Sequence, residues 1–400
     1  MGKRGDLLFL AHRIPYPPDK GDKIRSWHML RHLARDWDVH LGAFVDDPAD
    51  WPHAEVLRGV CADVCLRPLD PRTGKLRSLT GLLTGEALTL PYYRDAALDR
   101  WVRSKLDSGV RKVVVYSSAM AQFVMHAEGA RRVMDFVDID SDKWRQYAPT
   151  KAWPMSWLYA REARKLLAWE RRVAAGFDAS LFVSEAEARD FRALAPESSA
   201  RIGHFYNGVD TDYFSPAHVF DTPFSAGEQA VVFTGAMDYW PNVDAVTWFA
   251  REVLPRLRQA RGADVSFYIV GSRPSPAVQE LAGPGVVVTG RVPDVRPYLA
   301  HAALVVAPLR IARGIQNKVL EGMAMAKAVL ASPQALEGVA ARPDAEVVVA
   351  EDAASTAEAV QRLIADPGRC REIGGAARAR VLADYTWAPN LARLDALLAG

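Results

Sequence analysis

The stretch GRVPDVRPYLAHAALVVAPLRIARGIQNKVLEG, residues Gly290–Gly322, predicts a buried strand, a loop and a helix. The apolar run Ala303–Pro308 predicts the strand, which the proline ends. Two arginines and a glycine follow, and a helix then begins with Lys318 and Glu321 near its start. Backbone N–H groups at a helix N-terminus, together with Arg and Lys, suit phosphate binding. Because a glutamate one turn further in can accept both ribose hydroxyls, the stretch indicates a nucleotide-sugar site.

The composition is that of a globular protein with two domains. The chain has 400 residues, of which 50% are hydrophobic and 24% charged, and a formal net charge of +2. This balance gives no electrostatic reason to expect a nucleic-acid partner. Cys61, Cys65 and Cys370 neither pair evenly nor show zinc spacing, which indicates reduced thiols. The first apolar run is too short for a signal peptide, and no run reaches the ~18 apolar residues of a membrane span. We therefore expect a cytoplasmic protein.

Short β-rich runs alternate with helical segments, as in parallel sheets built from β-α-β units. In the first half the predicted strands are Asp6–Ala11, Val39–Phe44, Cys61–Arg67, Lys112–Tyr116, Arg132–Val137 and Ala179–Ser184. In the second half they are Ala230–Gly235, Ser266–Gly271, Gly285–Thr289, Ala303–Pro308, Ala328–Ala331 and Glu346–Ala350. This pattern predicts an α/β fold of two Rossmann-like domains whose parallel sheets face across a cleft. Ligands of open α/β sheets bind beyond the carboxyl ends of the strands, so the cleft is the expected active site.

The two domains are expected to join in the loop-rich stretch Phe205–Gln229. We predict an N-terminal domain over residues 1–206, on the acceptor side. A C-terminal domain over residues 207–384 would bind the nucleotide-sugar. Residues 385–400 are expected to form a helix that packs back on the N-terminal domain.

Seven motifs are spread over most of the chain. They are KGDKIRSWHMLRHLA (20–34), SEAEARDF (184–191), NGVDTDYFSP (207–216), FTGAMDYWPNVDAVTWF (233–249), IVGSRPSP (269–276), GRVPDVRPYLAHA (290–302) and GIQNKVLEGMAMAKAVLAS (314–332). In their order and spacing they resemble the retaining glycosyltransferases of family 4, which have the GT-B fold. They are most similar to the sugar transferases associated with exosortase and PEP-CTERM exopolysaccharide clusters.

The resemblance implies a set of donor-binding residues. Glu321 would bind the nucleotide ribose, and the base would lie against backbone at Arg291 and Val292. The other expected donor-binding residues are Gly21, Gly271, Arg273, Arg310, Gly314, Ile315 and Gln316. For Arg273 and Arg291 a structural salt bridge is the alternative interpretation, and for Gly21 an ordinary surface turn.

Two positions depart from the family pattern. A second glutamate usually precedes the ribose-binding one, with seven residues between them, and here Arg313 stands in its place. An Arg and a Lys often follow the first strand of the second domain, whereas AMDYWPN (236–242) contains neither. We expect Arg310, Arg313 and Lys318 to supply the missing charge, with Arg313 and Lys318 acting catalytically on the leaving diphosphate. The alternative is that all three are solvated loop cations.

The acidic run MDFVDIDSDKW, residues 134–144, is the candidate on the acceptor side. Asp138 or Asp140 would orient the acceptor hydroxyl or stabilise positive charge on the sugar, and helix capping with salt bridging is the alternative. A calcium loop beginning at Asp138 is excluded because Lys143 and Pro149 occupy its required Gly and Glu positions. Since GT-B enzymes generally use helix N-termini and basic side chains on the diphosphate, no metal or other cofactor is expected.

The segment Lys143–Arg172 holds eight Lys/Arg, two Glu and four Trp. A helical projection at 100° per residue puts a basic surface on one face and apolar residues opposite. The basic face consists of Trp157, Arg161, Arg164, Lys165, Ala168 and Arg172. Such a face is suited to an anionic membrane, which would place the protein peripherally on the cytoplasmic side. The alternative is a solvated charged face.

The sequence as a whole predicts a glycosyltransferase that uses a nucleotide diphosphate-sugar and a glycan or polyprenyl-linked acceptor. By the resemblance it would act in exopolysaccharide or cell-surface polysaccharide synthesis, with anomeric retention and without a metal. One alternative is a nucleotide-sugar epimerase of the GT-B type. Another is a catalytically degenerate subunit that only binds nucleotide-sugars, because the first glutamate of the motif is missing.

Overall fold

The computed structural model describes residues 2–18, 21–261, 264–312 and 314–399, which form two compact units. The first unit comprises Met1–Tyr206 with Ala388–Gly400, and the second comprises Asn207–Trp387. The second unit therefore ends beyond residue 384, the predicted limit, because two aromatic residues pack into it. The Tyr385 hydroxyl accepts a hydrogen bond from the Ala340 amide. The Trp387 ring lies against Gly208, where a Cβ would be 2.6 Å from the ring.

The first unit is built on a parallel sheet in the order β3-β2-β1-β4-β5-β6-β7, as far as its described residues show. Every neighbouring pair of strands runs parallel. Residues Leu7–Ala11 of the central strand are fully buried, as expected where helices cover both faces of a parallel sheet. The strands are β1 Asp6–Ala11, β2 Asp38–Val45, β3 Asp63–Pro68, β4 Lys112–Tyr116, β5 Arg131–Val137, β6 Ala179–Phe182 and β7 Ile202–His204.

Helices and short 3₁₀ turns connect these strands. Several helices begin at a residue whose side chain caps the first turn, such as Asp95 and Ser184. The helices are α1 Gly21–Asp36, α2 Ala54–Arg58, α3 Pro71–Ser78, α4 Thr80–Thr84, α5 Thr89–Tyr92, α6 Ala96–Asp107, α7 Asp140–Tyr147, α8 Met155–Gly176 and α9 Glu185–Leu194.

The second unit has a parallel sheet in the order β10-β9-β8-β11-β12-β13, again counted over its described residues. Its strands are β8 Gln229–Thr234, β9 Val265–Val270, β10 Val286–Gly290, β11 Leu304–Ala307, β12 Val329–Ala331 and β13 Val348–Val349. Its helices are α10 Trp240–Trp248, α11 Leu254–Arg261, α12 Pro276–Gln279, α13 Arg296–His301, α14 Asn317–Ala324, α15 Pro333–Leu336, α16 Ala353–Ala365 and α17 Pro367–Asp384. A π-helical turn, Phe249–Val253, joins α10 to α11.

The last helix, α18 Trp387–Ala399, lies on the first unit. Its Leu391, Leu394 and Leu398 are buried. The carboxylate of Asp395 accepts from His32 Nε2 at 2.8 Å. The chain thus enters the second unit once and returns from it once.

The predicted fold class of two Rossmann-like domains with parallel sheets is confirmed. Each predicted strand overlaps an observed one, and the first unit has one further strand, β7 Ile202–His204. This strand has three residues, one of them Gly203, so it carries no apolar run that a pattern search would detect. In each parallel sheet the carboxyl ends of the strands share one edge, and the candidate site residues follow those ends.

Candidate functional site

Backbone alone forms the edge of the second sheet where β8, β9 and β10 end. A Cβ on Gly271, after β9, would lie 1.7 Å from the carbonyl oxygen of Gly235, after β8, so this approach requires glycine. The Gly235 amide donates to the Val270 carbonyl at 3.0 Å, and the Gly271 amide donates to the Gly290 carbonyl at 3.3 Å. The two glycines therefore let backbone atoms of neighbouring strand ends approach each other closely.

Lys318 in the first turn of α14 lies beside these strand ends. Its Cε is 3.5 Å from where a Cβ of Gly235 would be. Its Nζ donates to Asn242 Oδ1 at 2.9 Å, and Asn242 Nδ2 donates to the Ala236 carbonyl at 2.8 Å. The buried Asn242 amide thus fixes the ammonium group at the edge of the sheet.

Lys318 and Glu321 both have shifted pKa values. Burial lowers the pKa of Lys318 to about 8, although the nearby Glu321 carboxylate opposes the shift. Burial likewise raises the pKa of Glu321 to about 7, with Lys318 opposing. Each group is therefore partly ionised near neutral pH, so a charged ligand can change its protonation state.

The loop before α14 is held by close backbone packing. Gly314 has φ +65°, in the left-handed region that glycine adopts readily. A Cβ on Gly338 would lie 2.8 Å from the Gly314 carbonyl and 2.9 Å from the Ile315 amide nitrogen, so glycine is required there too. No side chain caps α14 at Gln316, which leaves the first-turn amides for another acceptor. This arrangement is suited to an anion.

The expected cations of the second unit have different surroundings. Arg310 is neutralised by a bidentate pair with Asp244, with Nε 2.9 Å from Oδ2. Arg273, at φ +53°, pairs with Asp238 at 3.1 Å, which matches its alternative interpretation as a structural salt bridge. Arg291 is exposed, and Val292 is half-buried after β10. Arg313 lies outside the described residues. Lys318 differs from these arginines because it is anchored at the strand ends by the amide of Asn242.

Three buried oxygen atoms in the same unit have no hydrogen-bond partner among the described residues. They are Thr234 Oγ1 at the end of β8, Ser275 Oγ before α12 and Asn317 Oδ1 at the start of α14. Buried polar atoms are normally paired, so these atoms are candidates for contact with a ligand.

The first unit contains a cavity of about 600 Å³ at the carboxyl ends of β1, β4 and β5. Aromatic and aliphatic side chains form much of its wall, with a few charged groups among them. Its lining consists of His12, Asp22, Lys75, Ser78, Leu88, Thr89, Tyr92, Tyr93, Tyr116, Ser117, Phe136, Val137, Asp138, Asp140, Lys143, Trp144, Leu158, Tyr159, Glu162 and Leu166. A mostly apolar cavity with convergent polar groups is the usual form of a small-molecule site.

His12 lies in the wall of this cavity, next to an anchored carboxylate. Its Nε2 is 3.5 Å from Asp22 Oδ2, and its ring stacks on Tyr116 at a centroid distance of 5.7 Å. Arg13 donates to the same carboxylate at 2.5 Å. Hydrogen bonds and charges of His12 and Arg13 outweigh burial and hold the pKa of Asp22 well below its usual range. His12 Nδ1 is buried and has no partner in the described part of the chain.

The acidic residues expected on the acceptor side both line the cavity. Lys143 bridges them, with Nζ 3.0 Å from Asp138 Oδ2 and 3.0 Å from Asp140 Oδ1. The two carboxylates outweigh burial and raise the pKa of Lys143 well above its usual value. Both aspartates are therefore salt-bridged, as the structural alternative predicted, and the bridging lysine faces the cavity with them.

A buried carboxylate supports the helix that carries these groups. Glu170 of α8 is fully buried and accepts hydrogen bonds from the Ser141 amide, at 3.1 Å, and from the Ser141 hydroxyl. Burial raises the pKa of Glu170 to about 8, and the negative charge of Asp140 adds to the shift. Glu170 thus fixes the start of α7, where Asp140 and Lys143 lie.

The backbone at the cavity is strained at two strand ends. Val137, the last residue of β5, has φ +71°, and Ser117, directly after β4, has φ +76°. A β-branched residue rarely adopts this region, and such strain concentrates at functional sites. The cavity wall is therefore held in a conformation that its sequence does not favour locally.

One expectation about the first unit is wrong. Arg161 does not belong to the exposed basic face, because it is buried and donates to the carbonyls of Gly81 and Glu86. The other residues of that face, which include Trp157, are exposed. Gly21 begins α1 but does not line the cavity, whereas its neighbour Asp22 does.

Known proteins are similar to most of the second unit. Residues 228–366, which include β8, Asn242 and α14, match the family model described as "Glycosyl transferases group 1". The matched segment of the second unit is thus similar to group 1 glycosyltransferases. A curated relative, alpha-maltose-1-phosphate synthase of Mycolicibacterium smegmatis, is 31% identical over 246 residues. The match covers 55% of this chain and 62% of that protein's length. These similarities support a transferase.

Solved structures with the same fold extend over both units. Sucrose-phosphate synthase from Thermosynechococcus elongatus has a TM-score of 0.71 at 18% identity, with 98% of each chain covered. Anabaena HepE in complex with UDP-glucose has a TM-score of 0.66 at 14% identity, covering 98% of this chain and 99% of that one. WaaG, a glycosyltransferase involved in lipopolysaccharide biosynthesis, has a TM-score of 0.67 at 14% identity, covering 98% and 100%. At these identities the likeness establishes the GT-B fold.

The described residues contain neither a candidate metal cluster nor a membrane-spanning helix. No group of three or more His, Cys, Asp or Glu side chains there could hold a metal ion. No helix there is long and apolar enough to cross a membrane.

Several candidate functional residues were not predicted from the sequence. Asn242 ends the segment AMDYWPN (236–242), which follows β8. This segment lacks the Arg and Lys that the family pattern places there, and that departure drew attention to it. His12 follows the end of β1, which is a position where ligands bind in this fold. Glu170 gave no local signal, because only tertiary packing buries it.

Proposed function

We propose that the protein is a glycosyltransferase that binds a nucleotide diphosphate-sugar in its second unit and an acceptor in the cavity of its first unit. The observation that carries the proposal is the family match over residues 228–366, whose segment holds Lys318 and Glu321 next to strand ends made of backbone. HepE, which shares the fold, has been solved with UDP-glucose, and a nucleotide-sugar of this kind fits the same chemistry.

The donor would be held by charged side chains and by backbone amide groups. Lys318 and the first-turn amides of α14 would neutralise the diphosphate, while Glu321 accepts the two ribose hydroxyls. An ammonium group beside a diphosphate stays protonated, and a carboxylate that accepts two hydroxyls stays ionised. Donor binding would therefore draw both shifted groups into their charged forms.

The transfer itself would use the leaving diphosphate. The bond between the sugar C1 and the phosphate oxygen breaks, and the acceptor hydroxyl oxygen forms its bond to C1 on the same face. The hydroxyl proton passes to the leaving phosphate oxygen, so that retention follows without an obligatory metal. In the first unit, the His12 ring and the Lys143 ammonium group line the cavity where the acceptor hydroxyl would be oriented.

The acceptor would be a glycan or a polyprenyl-linked sugar, in the synthesis of exopolysaccharide or another cell-surface polysaccharide. The aromatic wall of the cavity supports such an acceptor, because sugar rings and apolar chains both pack on aromatic faces. The exposed basic residues of α8, which are Arg164, Lys165 and Arg172 beside Trp157, support contact with an anionic membrane from the cytoplasm.

Thermal unfolding with a panel of UDP-, GDP- and ADP-sugars tests the donor half of the proposal. A ligand bound only by the folded state raises the unfolding temperature, and Lys318→Ala should abolish the rise. Lys327→Ala, a lysine elsewhere in the same family segment, is the matched control. Absence of stabilisation by every nucleotide-sugar would refute the proposal.

The fate of the bound donor separates the remaining functions. A transferase cleaves the donor, slowly to free sugar when no acceptor is present. Conversion of the intact nucleotide-sugar to its epimer would identify an epimerase instead. A donor that binds and stays intact with every glycan or lipid-linked acceptor supplied would identify a binding subunit.

A further inference from the structure

One side of the first unit exposes large apolar side chains from α3, α4 and the start of α8. Leu83 is 90% exposed, Trp153 is 81% exposed and Leu76 is 69% exposed. Leu79, Met155 and Trp157 are exposed as well. Exposed apolar groups concentrated in this way mark a surface that contacts another apolar phase. We refer to these six residues as the apolar rim.

The apolar rim belongs to firmly packed elements. A Cβ on Gly74 would lie 2.7 Å from the Tyr92 ring, so the inner face of α3 packs so closely that glycine is required there. Arg161 of α8 donates to the Gly81 carbonyl of α4 at 2.7 Å and to the Glu86 carbonyl at 3.1 Å. The Glu162 carboxylate of α8 accepts from the amides of Leu88 and Thr89. The leucines are thus exposed on elements that α8 holds in place.

The charge around the apolar rim is positive. Arg171 of α8 is paired with Glu197, and Arg77 of α3 donates to backbone carbonyls. Six other exposed cations on the same segments have no carboxylate partner within the described residues, and they are Arg72, Lys75, Lys151, Arg164, Lys165 and Arg172. The acidic residues of α8, Glu162 and Glu170, are both buried. Glu86 is paired with Arg94. A surface that combines leucine and tryptophan with unpaired cations complements an anionic lipid bilayer.

The elements that carry the apolar rim also line the cavity. Lys75 and Ser78 of α3 lie in its wall, as do Leu158 and Tyr159 of α8. Each of these residues is adjacent in sequence to a member of the apolar rim or one residue further away. The apolar rim and the cavity wall thus share two helices, α3 and α8.

We propose that the apolar rim inserts into an anionic bilayer, and that the cavity takes the isoprenoid phosphate portion of a polyprenyl-linked sugar acceptor directly from that bilayer. The inference rests on the proposed function for the identity of the acceptor. It adds α3 and α4 to the membrane contact, whereas the basic face predicted from the sequence lies on α8 alone. Lys75 faces the cavity, has no carboxylate partner among the described residues, and would neutralise the phosphate. The apolar wall would hold the first isoprene units.

Vesicle sedimentation tests the membrane contact and needs no substrate. The full chain should bind vesicles rich in phosphatidylglycerol and bind pure phosphatidylcholine vesicles much more weakly. The double variant Leu76→Ser/Leu83→Ser should lose at least about tenfold in binding, because two leucines no longer leave water. Val219→Ser/Leu382→Ser removes two exposed apolar residues of the second unit and should bind like the unaltered protein. Equal binding by both double variants would overturn the membrane contact.

Charge and depth of insertion have separate measurements. Arg164→Glu/Lys165→Glu should weaken vesicle binding, whereas Arg362→Glu/Arg371→Glu, with the same charge change on the second unit, should not. Brominated lipids should quench tryptophan fluorescence, and the quenching should fall sharply in Trp153→Phe/Trp157→Phe. Unchanged quenching in that variant would place the contact elsewhere and refute insertion.

The cavity ligand is tested with fluorescent farnesyl phosphate by anisotropy in the absence of vesicles. The unaltered protein should bind it, and Ser78→Trp should abolish binding by filling the cavity. Ser104→Trp, on the exposed face of α6, should bind normally. Normal binding by Ser78→Trp would refute the cavity assignment. A protein that binds vesicles and farnesyl phosphate but no nucleotide-sugar would overturn the proposed function and leave this inference standing.

Discussion

Removal of Arg25 should destabilise the first unit more than any loss of a surface charge would. The guanidinium group of Arg25 and the carboxylate of Asp135 are both fully buried. Arg25 donates from Nε to Asp135 Oδ2 at 2.8 Å and from Nη1 to the Phe205 carbonyl at 3.0 Å. Asp135 also accepts from the Val137 amide at 3.1 Å, at the strained end of β5. The variant Arg25→Met therefore leaves a buried carboxylate without its counter-charge.

The expected loss of stability follows from that geometry. Breaking a buried pair by removing one partner costs about 3–5 kcal/mol. A second change, Asp135→Asn, removes the uncompensated charge and keeps an oxygen that can accept from the Val137 amide. The Phe205 carbonyl remains unpaired, which costs about 1–3 kcal/mol. The double variant Arg25→Met/Asp135→Asn should thus be more stable than Arg25→Met alone.

Amide hydrogen exchange is the suitable assay, because peptides from β4 and β5 report on the first unit alone. Exchange of these peptides should be about 10²- to 10³-fold faster in Arg25→Met, and the double variant should recover part of that protection. Arg35→Met, on the exposed side of the same helix, is the control. Two results would contradict this prediction. Either Arg25→Met exchanges as slowly as Arg35→Met, or the double variant exchanges as fast as Arg25→Met.

Three further predictions concern the packing and the titrating groups. Gly271→Ala should lower the unfolding temperature and abolish donor stabilisation because its Cβ would strike the Gly235 carbonyl, whereas Gly283→Ala meets open space and should change neither. Because the pKa of Glu170 is raised, the free energy of unfolding of the first unit should fall by a few kcal/mol, as an order of magnitude, as pH rises from about 4.5 to about 8. Urea titrations measure this change, and Glu170→Gln should remove it. Donor affinity measured by calorimetry should rise through pH 7 as Glu321 ionises and fall above pH 8 as Lys318 loses its proton. If the affinity of Glu321→Gln still rises through pH 7, the rise does not come from Glu321.

Much of the fold was predictable because the two parallel sheets are buried on both faces. Their strands are short apolar runs such as Leu7–Ala11, bounded by polar turns, and such runs are visible in the sequence. The strand Ile202–His204 was not predictable, because hydrogen bonds to β6 define it and its three residues carry no pattern. That the second unit extends to Trp387 was not predictable for a similar reason. The packing of Tyr385 and Trp387 depends on residues distant in sequence, such as Ala340 and Gly208.

The candidate site was less predictable than the fold. Lys318 and Glu321 could be proposed from the sequence because a helix start next to a strand end is a local feature. The basic face of α8 was drawn from helical periodicity, which cannot show that Arg161 turns inward to carbonyls of α4. The missing Arg-Lys pair was recognised, but the partner that holds Lys318 is Asn242, which lies 76 residues before it in the chain. Such contacts between distant segments are set by the fold.

The position of α18 has a consequence for synthesis on the ribosome. Residues Ala388–Ala399 belong to the first unit, yet they are translated after the whole of the second. Until they emerge, the surface that buries Leu391, Leu394 and Leu398 stays open, and His32 lacks Asp395. A nascent chain can therefore complete its second unit before its first. A chain that stops at residue 387 should present an exposed apolar surface to chaperones and proteases, even with every residue of both sheets in place.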